Sequence, residues 1–327
     1  MAFPSTYQAV LVQLNNEPPK ISDVSLVMPE KNQVLIKIEF ACIHPADTLV
    51  ISGDYPVPLK RPHPVGFEGS GVVVAVGSEL KVPHIVGERV NVSGPGTWGQ
   101  YILVNSEACR KLPDDISFED GTLFFANPAT TICLANIAQK GNHKAAIHTA
   151  GSSAVGRMMI QYFKQRGIKL INIVRREEVI EQLKAEGADY VLNSTDADFE
   201  AKLKEIAEKE GATISFEAVA GNLTRKIITN QPEDSICYLY GGLEGEQLKD
   251  LQVGDFVFQG KMLTGFWIGK YLKKNFSEIP QMMQDIAAHA KTCFQPHIYA
   301  KYKLTDIEKA LADYQVNSSK GKILLQP

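Results

Sequence analysis

The sequence of 327 residues lacks several features that would each assign it to a particular class of protein. No apolar run is long enough to span a bilayer, and the first residues form neither an apolar signal core nor an Arg-rich presequence. The five cysteines are scattered and never spaced Cys-x-x-Cys, which argues against a disulfide framework and favours a reducing compartment. The net charge of −3 leaves no excess of basic residues for binding nucleic acid. We therefore expect a cytoplasmic protein that binds neither nucleic acid nor membrane; the mitochondrial matrix is the alternative if a presequence was removed.

The chain has the composition and length of two globular domains, with 44% hydrophobic and 22% charged residues. From residue 112 to about 267, predicted helices and strands alternate, which indicates a parallel sheet with right-handed crossovers. They include helices at 177–186 and 199–210 and strands at 189–192, 214–217 and 236–240. The fold class is therefore α/β, with a β-rich domain and a doubly wound parallel-sheet domain. The segments predicted outside the alternating region are short strands at 9–14, 33–40, 71–76 and 89–92, a helix at 306–315 and a strand at 322–325.

The stretch 144–178 is typical of a dinucleotide-binding unit. A short apolar strand at 145–149 precedes a turn of small residues, then an amphipathic helix and a second apolar strand at 170–174. Small side chains let the backbone approach a pyrophosphate, and the N–H groups at the helix start would face it. Serine replaces the middle glycine of the usual pattern, so an ordinary strand-to-helix turn is the alternative. The predicted cofactor contacts in this turn are Gly151, Ser152, Ser153, Ala154, Val155 and Gly156.

Two arginines follow the second strand of this unit. A protein that binds NAD usually has Asp or Glu there, about 20 residues after the glycines, to accept a hydrogen bond from the ribose 2′-hydroxyl. Arg175 and Arg176 cannot accept that bond, but a guanidinium can bind a 2′-phosphate through charge-assisted bonds of about 1.5–3 kcal/mol each. The sequence therefore favours NADPH over NADH. The alternative is a solvated helix start, since Glu177 and Glu178 come next.

Motifs along nearly the whole chain resemble those of one known superfamily. They are ACIHPADTLVISGDYP, PHPVGFEGSGVVVAVG, GERV, WGQY, LPDDIS, ANPATT, SAVG, GADYVLN and GKILL. Together they resemble the zinc-free branch of the medium-chain dehydrogenase/reductase superfamily. Within it, SSAVGR, INIVRREE, YLYGG and GFW look most like the mitochondrial-type NADPH-dependent 2-enoyl thioester reductases of fatty acid metabolism, while quinone oxidoreductases share the first half.

This resemblance implies a domain organisation. It predicts a GroES-like catalytic domain at 1–124, which residues 268–327 rejoin, and a Rossmann domain at 125–267, with the active site between them. Residues 261–266 are a predicted apolar edge strand, and relatives pair this strand across a two-fold axis. We expect a homodimer.

A catalytic metal is not expected. The zinc-dependent relatives need a thiolate and a histidine at positions that here hold His44 and Phe67, and phenylalanine cannot ligate a metal. Cys42 lies two residues from the first of these positions and is predicted to face the other side of an extended segment.

Tyr55 is the main catalytic candidate. Hydride transfer to the β-carbon of a conjugated alkene builds an enolate, so the site needs a donor near the carbonyl oxygen and a proton source for the α-carbon. Tyr55 stands where the enoyl thioester reductases carry their functional tyrosine, and a phenol stays neutral at pH 7. The alternative is a loop tyrosine that packs beside prolines. Trp267, in the reductase-like Gly265-Phe266-Trp267 motif, is the second candidate, near the cofactor and acyl channel, unless it belongs to the core.

The resemblance implies further cofactor contacts. Asn127 and Thr130 match family positions near the nicotinamide and ribose, although an N-cap and a first-turn residue are equally good interpretations. The other predicted contacts are Tyr240, Gly241, Gly242, Phe266 and Lys322, the last of which is alternatively a solvated lysine.

Three functions remain open from the sequence. The first is reduction of the C=C bond of a trans-2-enoyl thioester with NADPH. The second is reduction of a quinone or alkenone by the same cofactor. The third is a non-catalytic NADPH-binding protein with a structural or RNA-binding role, in which Tyr55 would be idle.

Overall fold

The computed structural model describes residues 3–57, 59–245 and 247–327. The chain divides into two compact units, Met1–Ala126 with Pro296–Pro327, and Asn127–Gln295. Among the described residues, no helix combines the length and hydrophobicity that a membrane span requires. The five cysteines are buried free thiols.

The first unit begins with short strands that Pro and Gly interrupt, as the sequence predicts. Its strands are β1 Thr6–Val12, β2 Lys20–Ser25, β3 Gln33–Cys42, β4 His63–Pro64, β5 Glu68–Val76, β6 Arg89–Ser93, β7 Tyr101–Asn105 and β8 Cys109–Lys111. Its first helices are α1 Pro45–Ser52 and α2 Phe118–Gly121. β1 lies between β2 and β4 in a small antiparallel sheet. β3 pairs with β5 and β7 in a larger sheet that continues through β6 to β8.

The second unit alternates helices and strands. Its helices are α3 Ala126–Lys140, α4 Ala154–Gln165, α5 Ile180–Ala185, α6 Phe199–Glu210, α7 Gly221–Asn230, α8 Val253–Val257, α9 Ile268–Lys274 and α10 Ile279–His289. Its strands are β9 Ala145–His148, β10 Lys169–Val174, β11 Tyr190–Asn193, β12 Ile214–Glu217, β13 Ile236–Leu239 and β14 Met262–Gly265. They form a parallel sheet of order β11-β10-β9-β12-β13-β14.

This strand order is that of the Rossmann fold. From β9 the chain adds β10 and β11 on one side, and it then returns to add β12 on the other side of β9. The order in which strands are added therefore reverses between β9 and β12. Ligands bind outside the carboxyl ends of the strands at such a switch point. β9 is buried along its whole length and β10 is buried after its first residue, because helices cover both faces of a parallel sheet. α6 contributes Phe199, Leu203 and Ala207 to the core at four-residue spacing.

The chain returns to the first unit at residue 296, not at the predicted residue 268. The segment between belongs to the second unit because its side chains bond to α4. Tyr162 donates a hydrogen bond to Asp285 of α10 at 2.7 Å, and Arg166 pairs with the same carboxylate at 2.7 Å. Phe294 then packs against the Tyr162 ring, with centroids 5.0 Å apart.

The returning segment completes the larger sheet of the first unit. It consists of β15 Ile298–Lys303, α11 Ile307–Asn317 and β16 Lys322–Gln326. β16 lies between β15, to which it is parallel, and β3, to which it is antiparallel. A single apolar core therefore joins the beginning and end of the chain, since Ile36 and Val73 share it with Ile323 and Leu325.

Candidate active site

The small-residue turn between β9 and α4 is closely packed. A Cβ atom on Gly151 would lie 2.9 Å from Cβ of Asn172, and one on Gly156 would lie 2.4 Å from the carbonyl oxygen of Gly151. Ala150 adopts a φ of 54°, which brings the chain into the turn. The glycines are therefore required by the packing of strand, turn and helix, and larger residues would distort the turn.

The N-terminus of α4 opens from this turn. Ser153 is the N-cap, and its hydroxyl accepts a hydrogen bond from the Gly156 N–H at 3.1 Å. A helix start leaves four N–H groups without helical partners, and the dipole adds partial positive charge there. Ser152, Ala154 and Val155 are half-buried, so this end of α4 is reachable from outside. The predicted contact between this turn and a diphosphate is compatible with this arrangement.

Arg175 follows β10 at the carboxyl edge of the sheet, and its side chain is 71% exposed. Its Nη1 lies 3.5 Å from Oε1 of Glu244, in the loop after β13. Arg176 pairs with Glu178, with Nη1 and Oε1 3.4 Å apart. To bind an anion, the Arg175 guanidinium must therefore either break its contact with Glu244 or keep that contact while it binds the anion. Glu244 could not be found from sequence reasoning because it lies far from Arg175 along the chain.

The Tyr240-Gly241-Gly242 segment follows β13 at the same edge of the sheet. The Tyr240 hydroxyl is 2.7 Å from Nε2 of His148, whose pKa is lowered to about 3 by burial. His148 is therefore neutral, and it draws the Tyr240 side chain inward. A Cβ on Gly241 would lie 2.6 Å from the Ala218 carbonyl oxygen. The predicted contact of this segment with the cofactor is compatible with this arrangement.

A buried carboxylate that sequence reasoning missed fixes the turn after β12. Glu217 accepts hydrogen bonds from the Thr149 and Thr224 hydroxyls at 2.7 Å each. It also accepts from the N–H groups of Val219 at 2.8 Å and Ala220 at 2.7 Å. Because Thr149 follows β9, this network connects the two strands that flank the switch point.

The remaining predicted residues of the second unit differ in exposure. Asn127 is the second residue of α3 and not its N-cap, and Thr130 lies in the next turn. Asn127 is buried, and its Nδ2 has no hydrogen-bond partner among the described residues, so it can still donate to a ligand. Trp267 is 52% exposed at the start of α9, which excludes the core alternative. Phe266 is buried against Tyr271, with ring centroids 5.6 Å apart.

Tyr55 belongs to the first unit and lies after α1. Its ring packs on Phe67, with centroids 5.2 Å apart, and its backbone N–H donates to the Leu49 carbonyl at 3.1 Å. Burial raises the pKa of the phenol, and the nearby Asp47 carboxylate raises it further. The half-buried hydroxyl therefore remains a neutral donor at physiological pH.

A buried polar cluster lies at the end of β3. Nε2 of His44 is 3.0 Å from Sγ of Cys42 and 3.0 Å from Oε2 of Glu68. The prediction that Cys42 faces away from His44 is wrong, because alternate residues of an extended segment point to the same side. Burial raises the pKa of the Cys42 thiol well above its ordinary value, and the Glu68 charge adds to this effect. Cys42 is thus a neutral thiol.

Glu68 is fully hydrogen-bonded in this cluster. Its Oε1 accepts from Asn91 Nδ2 at 3.1 Å and from the N–H groups of Phe125 and Ala126 at 2.9 and 3.0 Å. Burial acts to raise its pKa, but the hydrogen bond with His44, aided by these N–H donors, lowers it below its ordinary value. The buried group is therefore an anion.

Lys322 extends into the same cluster from β16. Its Nζ is 3.2 Å from Nδ1 of His44 and 3.5 Å from the Ile43 carbonyl oxygen, and the residue is only 8% exposed. Burial and the Lys322 charge lower the pKa of His44. The alternative of a solvated lysine is therefore wrong, because its ammonium is held by His44.

Asp47 lies on α1 beside this cluster. Its Oδ2 accepts from the His44 N–H at 2.7 Å, while Oδ1 is buried without a hydrogen-bond partner in the described part of the chain. Burial raises its pKa to about 7.

Comparisons with known proteins agree with this geometry. The alcohol dehydrogenase GroES-like domain matches residues 30–114, and the zinc-binding dehydrogenase family matches residues 154–288. The mitochondrial enoyl-[acyl-carrier-protein] reductase of Caenorhabditis elegans is 29% identical over 322 residues, covering 94% of this chain and 91% of the relative. The Arabidopsis thaliana enzyme of the same name is 27% identical over 275 residues, covering 81% and 73%. A provisionally named NADPH:quinone reductase from Mesorhizobium loti is 29% identical, with a TM-score of 0.92 over 100% of both chains.

Fold, site and relatives first define a class: an oxidoreductase with a GroES-like domain and a Rossmann domain for a nicotinamide nucleotide. The chain belongs to the medium-chain dehydrogenase/reductase superfamily, within its zinc-free branch.

Proposed function

We propose that the protein reduces the conjugated C=C bond of a trans-2-enoyl thioester with NADPH. The observation that carries the proposal is Tyr55, a neutral phenol held on Phe67 in a chain that matches mitochondrial enoyl reductases along most of its length. The reduction of enoyl chains belongs to fatty acid metabolism, and relatives named as mitochondrial support the mitochondrial matrix as the alternative to the cytoplasm.

The cofactor would be held by the second unit. The turn Gly151–Gly156 would bind the diphosphate, Arg175 and Arg176 the 2′-phosphate, and Asn127 with Thr130 the nicotinamide half. When bound, the cofactor supplies a hydride. The chain's own contribution is to bind and orient it. The proposed contacts are supported by the exposed guanidinium of Arg175 and by Nδ2 of Asn127, which has no hydrogen-bond partner in the described part of the chain.

Tyr55 would act on the substrate. Negative charge develops on the thioester carbonyl oxygen as the β-carbon is reduced, and a phenol O–H directed at that oxygen stabilises the charge. The same group is a proton source for the α-carbon. Trp267 is exposed, and we propose that it lies along the acyl chain.

The test is a comparison of wild type with Tyr55→Phe. NADPH oxidation is followed with crotonyl-coenzyme A, hexenoyl-coenzyme A and a simple quinone, and Tyr299→Phe, which removes a surface phenol, is the control. We expect Tyr55→Phe to lower kcat on the thioesters about 10²–10³-fold, because one donor to the developing charge is lost. The control should keep wild-type turnover.

Quinone or alkenone reduction is the second candidate, favoured by the match to the Mesorhizobium loti protein over its whole length. Turnover of quinone but of neither thioester, unaffected by Tyr55→Phe, would establish it. It would also leave Tyr55 as a packing residue.

We also propose a homodimer. β14 is an edge strand of its sheet, and the end of the preceding helix α8 exposes apolar side chains, since Val257 is 65% exposed and Phe258, the residue after the helix, is 85% exposed. A second copy of this chain would cover both features.

A further inference from the structure

Family membership raises the question of a metal, because one matching family model is that of zinc-binding dehydrogenases. Cys42, His44 and Glu68 offer sulfur, nitrogen and oxygen atoms that all lie within 4.8 Å of one another. Three such ligands with one open position are what a catalytic Zn²⁺ requires. Tetrahedral Zn²⁺ would hold these atoms about 3.3–3.6 Å apart, and the two separations at His44 Nε2 are 3.0 Å. A small outward movement would therefore make room for an ion.

The hydrogen bonds of His44 oppose such an ion. Lys322 is an ammonium group, which can only donate, so Nδ1 of His44 must be the acceptor of the 3.2 Å contact. The ring proton of the neutral imidazole is then on Nε2, where it is donated to Oε2 of Glu68 at 3.0 Å. Nε2 is the atom that faces Cys42 and Glu68 and would have to bind the metal. A protonated nitrogen has no lone pair for a metal.

In known metal sites, the partner of the histidine nitrogen that does not bind the metal is a hydrogen-bond acceptor and not a donor. A ligating histidine donates its second N–H to a carboxylate or carbonyl oxygen, which leaves the other nitrogen free for the metal. Here the group behind the ring is a buried cation. The residues of this chain therefore do not fit a bound Zn²⁺, although three suitable ligand atoms are close together.

We propose that Cys42, His44 and Glu68 form a latent site for a divalent metal such as Zn²⁺, and that Lys322 keeps it closed by holding His44 in the Nε2-protonated tautomer. Lys322 thus stands beside Nδ1 of His44, where a metal site has a hydrogen-bond acceptor. Replacing Lys322 by a residue that can accept a hydrogen bond should leave Nε2 free to bind the metal. The proposal does not depend on the substrate or on the cofactor of the enzyme.

The test is metal binding by Lys322→Gln, whose amide oxygen can accept the Nδ1 proton. Purified, metal-free protein is titrated with Co²⁺, which reports a thiolate ligand by its charge-transfer absorption, and then with Zn²⁺ in competition. We expect Lys322→Gln to bind about 10–100-fold more tightly than wild type. Binding should release about one proton per ion, from the Cys42 thiol. Lys320→Gln, on the exposed turn before β16, is the matched control and should behave as wild type.

Two further measurements test the proposed ligands, and the second of them does not depend on a variant that could misfold. Cys42→Ala in the Lys322→Gln background should abolish the thiolate band. Nitrogen-15 NMR of wild type, which needs no variant, should show His44 with its proton on Nε2. Wild type that binds Co²⁺ through a thiolate as tightly as Lys322→Gln would overturn the proposal, and so would a His44 proton on Nδ1.

Discussion

Arg175 and Glu244 form an exposed ion pair at the point where the proposed 2′-phosphate would bind. Arg175→Ala removes charge-assisted bonds of about 1.5–3 kcal/mol, so KM for NADPH should rise by at least about tenfold while KM for NADH changes little. Glu244→Gln should act in the opposite direction, lowering KM for NADPH up to about fivefold, because an exposed pair contributes up to about 1 kcal/mol. Steady-state kinetics with both cofactors measures these effects.

The control for this pair is Glu208→Gln, an exposed carboxylate whose Oε1 lies 3.9 Å from Lys204 on α6. This variant removes the same charge as Glu244→Gln, but from α6 of the same unit and not from the loop after β13. It should leave both KM values unchanged. Equal loss of NADPH and NADH affinity in Arg175→Ala would contradict a role in selecting the 2′-phosphate.

Asp47 should make the stability of the protein depend on pH. Burial raises its pKa to about 7 from an ordinary 3.8, so between these values the folded state holds a proton that the unfolded state has lost. The stabilisation that this group contributes is therefore fully present below about pH 4 and is lost as the pH rises to about 7. Asp47→Asn mimics the protonated form, and its stability relative to wild type should rise by on the order of 2 kcal/mol between pH 5 and 8.

Urea denaturation at the two pH values measures this difference. His44 and Glu68 have lowered pKa values, so they add stability as the pH rises through the acid range, and this contribution is shared by wild type and variant. The comparison of the two proteins therefore isolates Asp47. A pH-independent difference would show that Asp47 is ionised in the folded protein throughout this range.

At the scale of elements, two helices begin with a serine N-cap of the same geometry, but only one of these helices has a proposed role in cofactor binding. Ser153 caps α4 and Ser117 caps α2, each accepting from an N–H three residues on, at 3.1 and 3.0 Å. Replacing either by Ala should cost about 1 kcal/mol of stability. Only Ser153→Ala should also weaken NADPH binding, measured by fluorescence titration, because its helix faces the proposed diphosphate site. Equal NADPH affinity in both variants would remove α4 from that site.

The elements that sequence patterns predicted best are those with local signals. The predicted α6 and β12 agree with the structure at both ends, because spacing of apolar residues fixes one and a short buried run fixes the other. The helix predicted at 177–186 begins instead as a 3₁₀ turn, with α5 starting at Ile180. α7 was not predicted, because it starts after Ala220 at a φ of 68°, which no sequence pattern there announces.

The buried cluster of Cys42, His44, Glu68 and Lys322 was beyond sequence reasoning for a different reason. His44 contacts Lys322, which lies 278 residues away along the chain, and only the register of β16 against β3 brings them together. The arginines and glycines of the nucleotide unit were predicted because they lie within one strand–turn–helix–strand segment. Contacts made through sheet pairing between the two ends of a chain leave no such local pattern.

At the scale of the whole molecule, we expect the homodimer to depend on α8 and the neighbouring edge strand β14. Val257→Asp with Phe258→Asp introduces charges into the proposed interface, where burial of an unpaired charge is strongly unfavourable. Sedimentation velocity should therefore show a dimer for wild type and a monomer for this variant. Val316→Asp, which charges a side chain that is 77% exposed on α11 of the first unit, should remain dimeric. A monomeric wild type at micromolar concentration would contradict the prediction.

The last strand, β16, lies inside the larger sheet, between β15 and β3. A ribosome delivers the chain from its N-terminus, so the first unit remains without this inner strand until residues 322–326 emerge, whereas all residues of the second unit are already made. The first unit is thus completed only after the whole of the second unit has been made. Lys322 emerges with that strand, after Cys42, His44 and Glu68, so a prematurely terminated chain would expose metal-binding residues that the finished protein keeps closed.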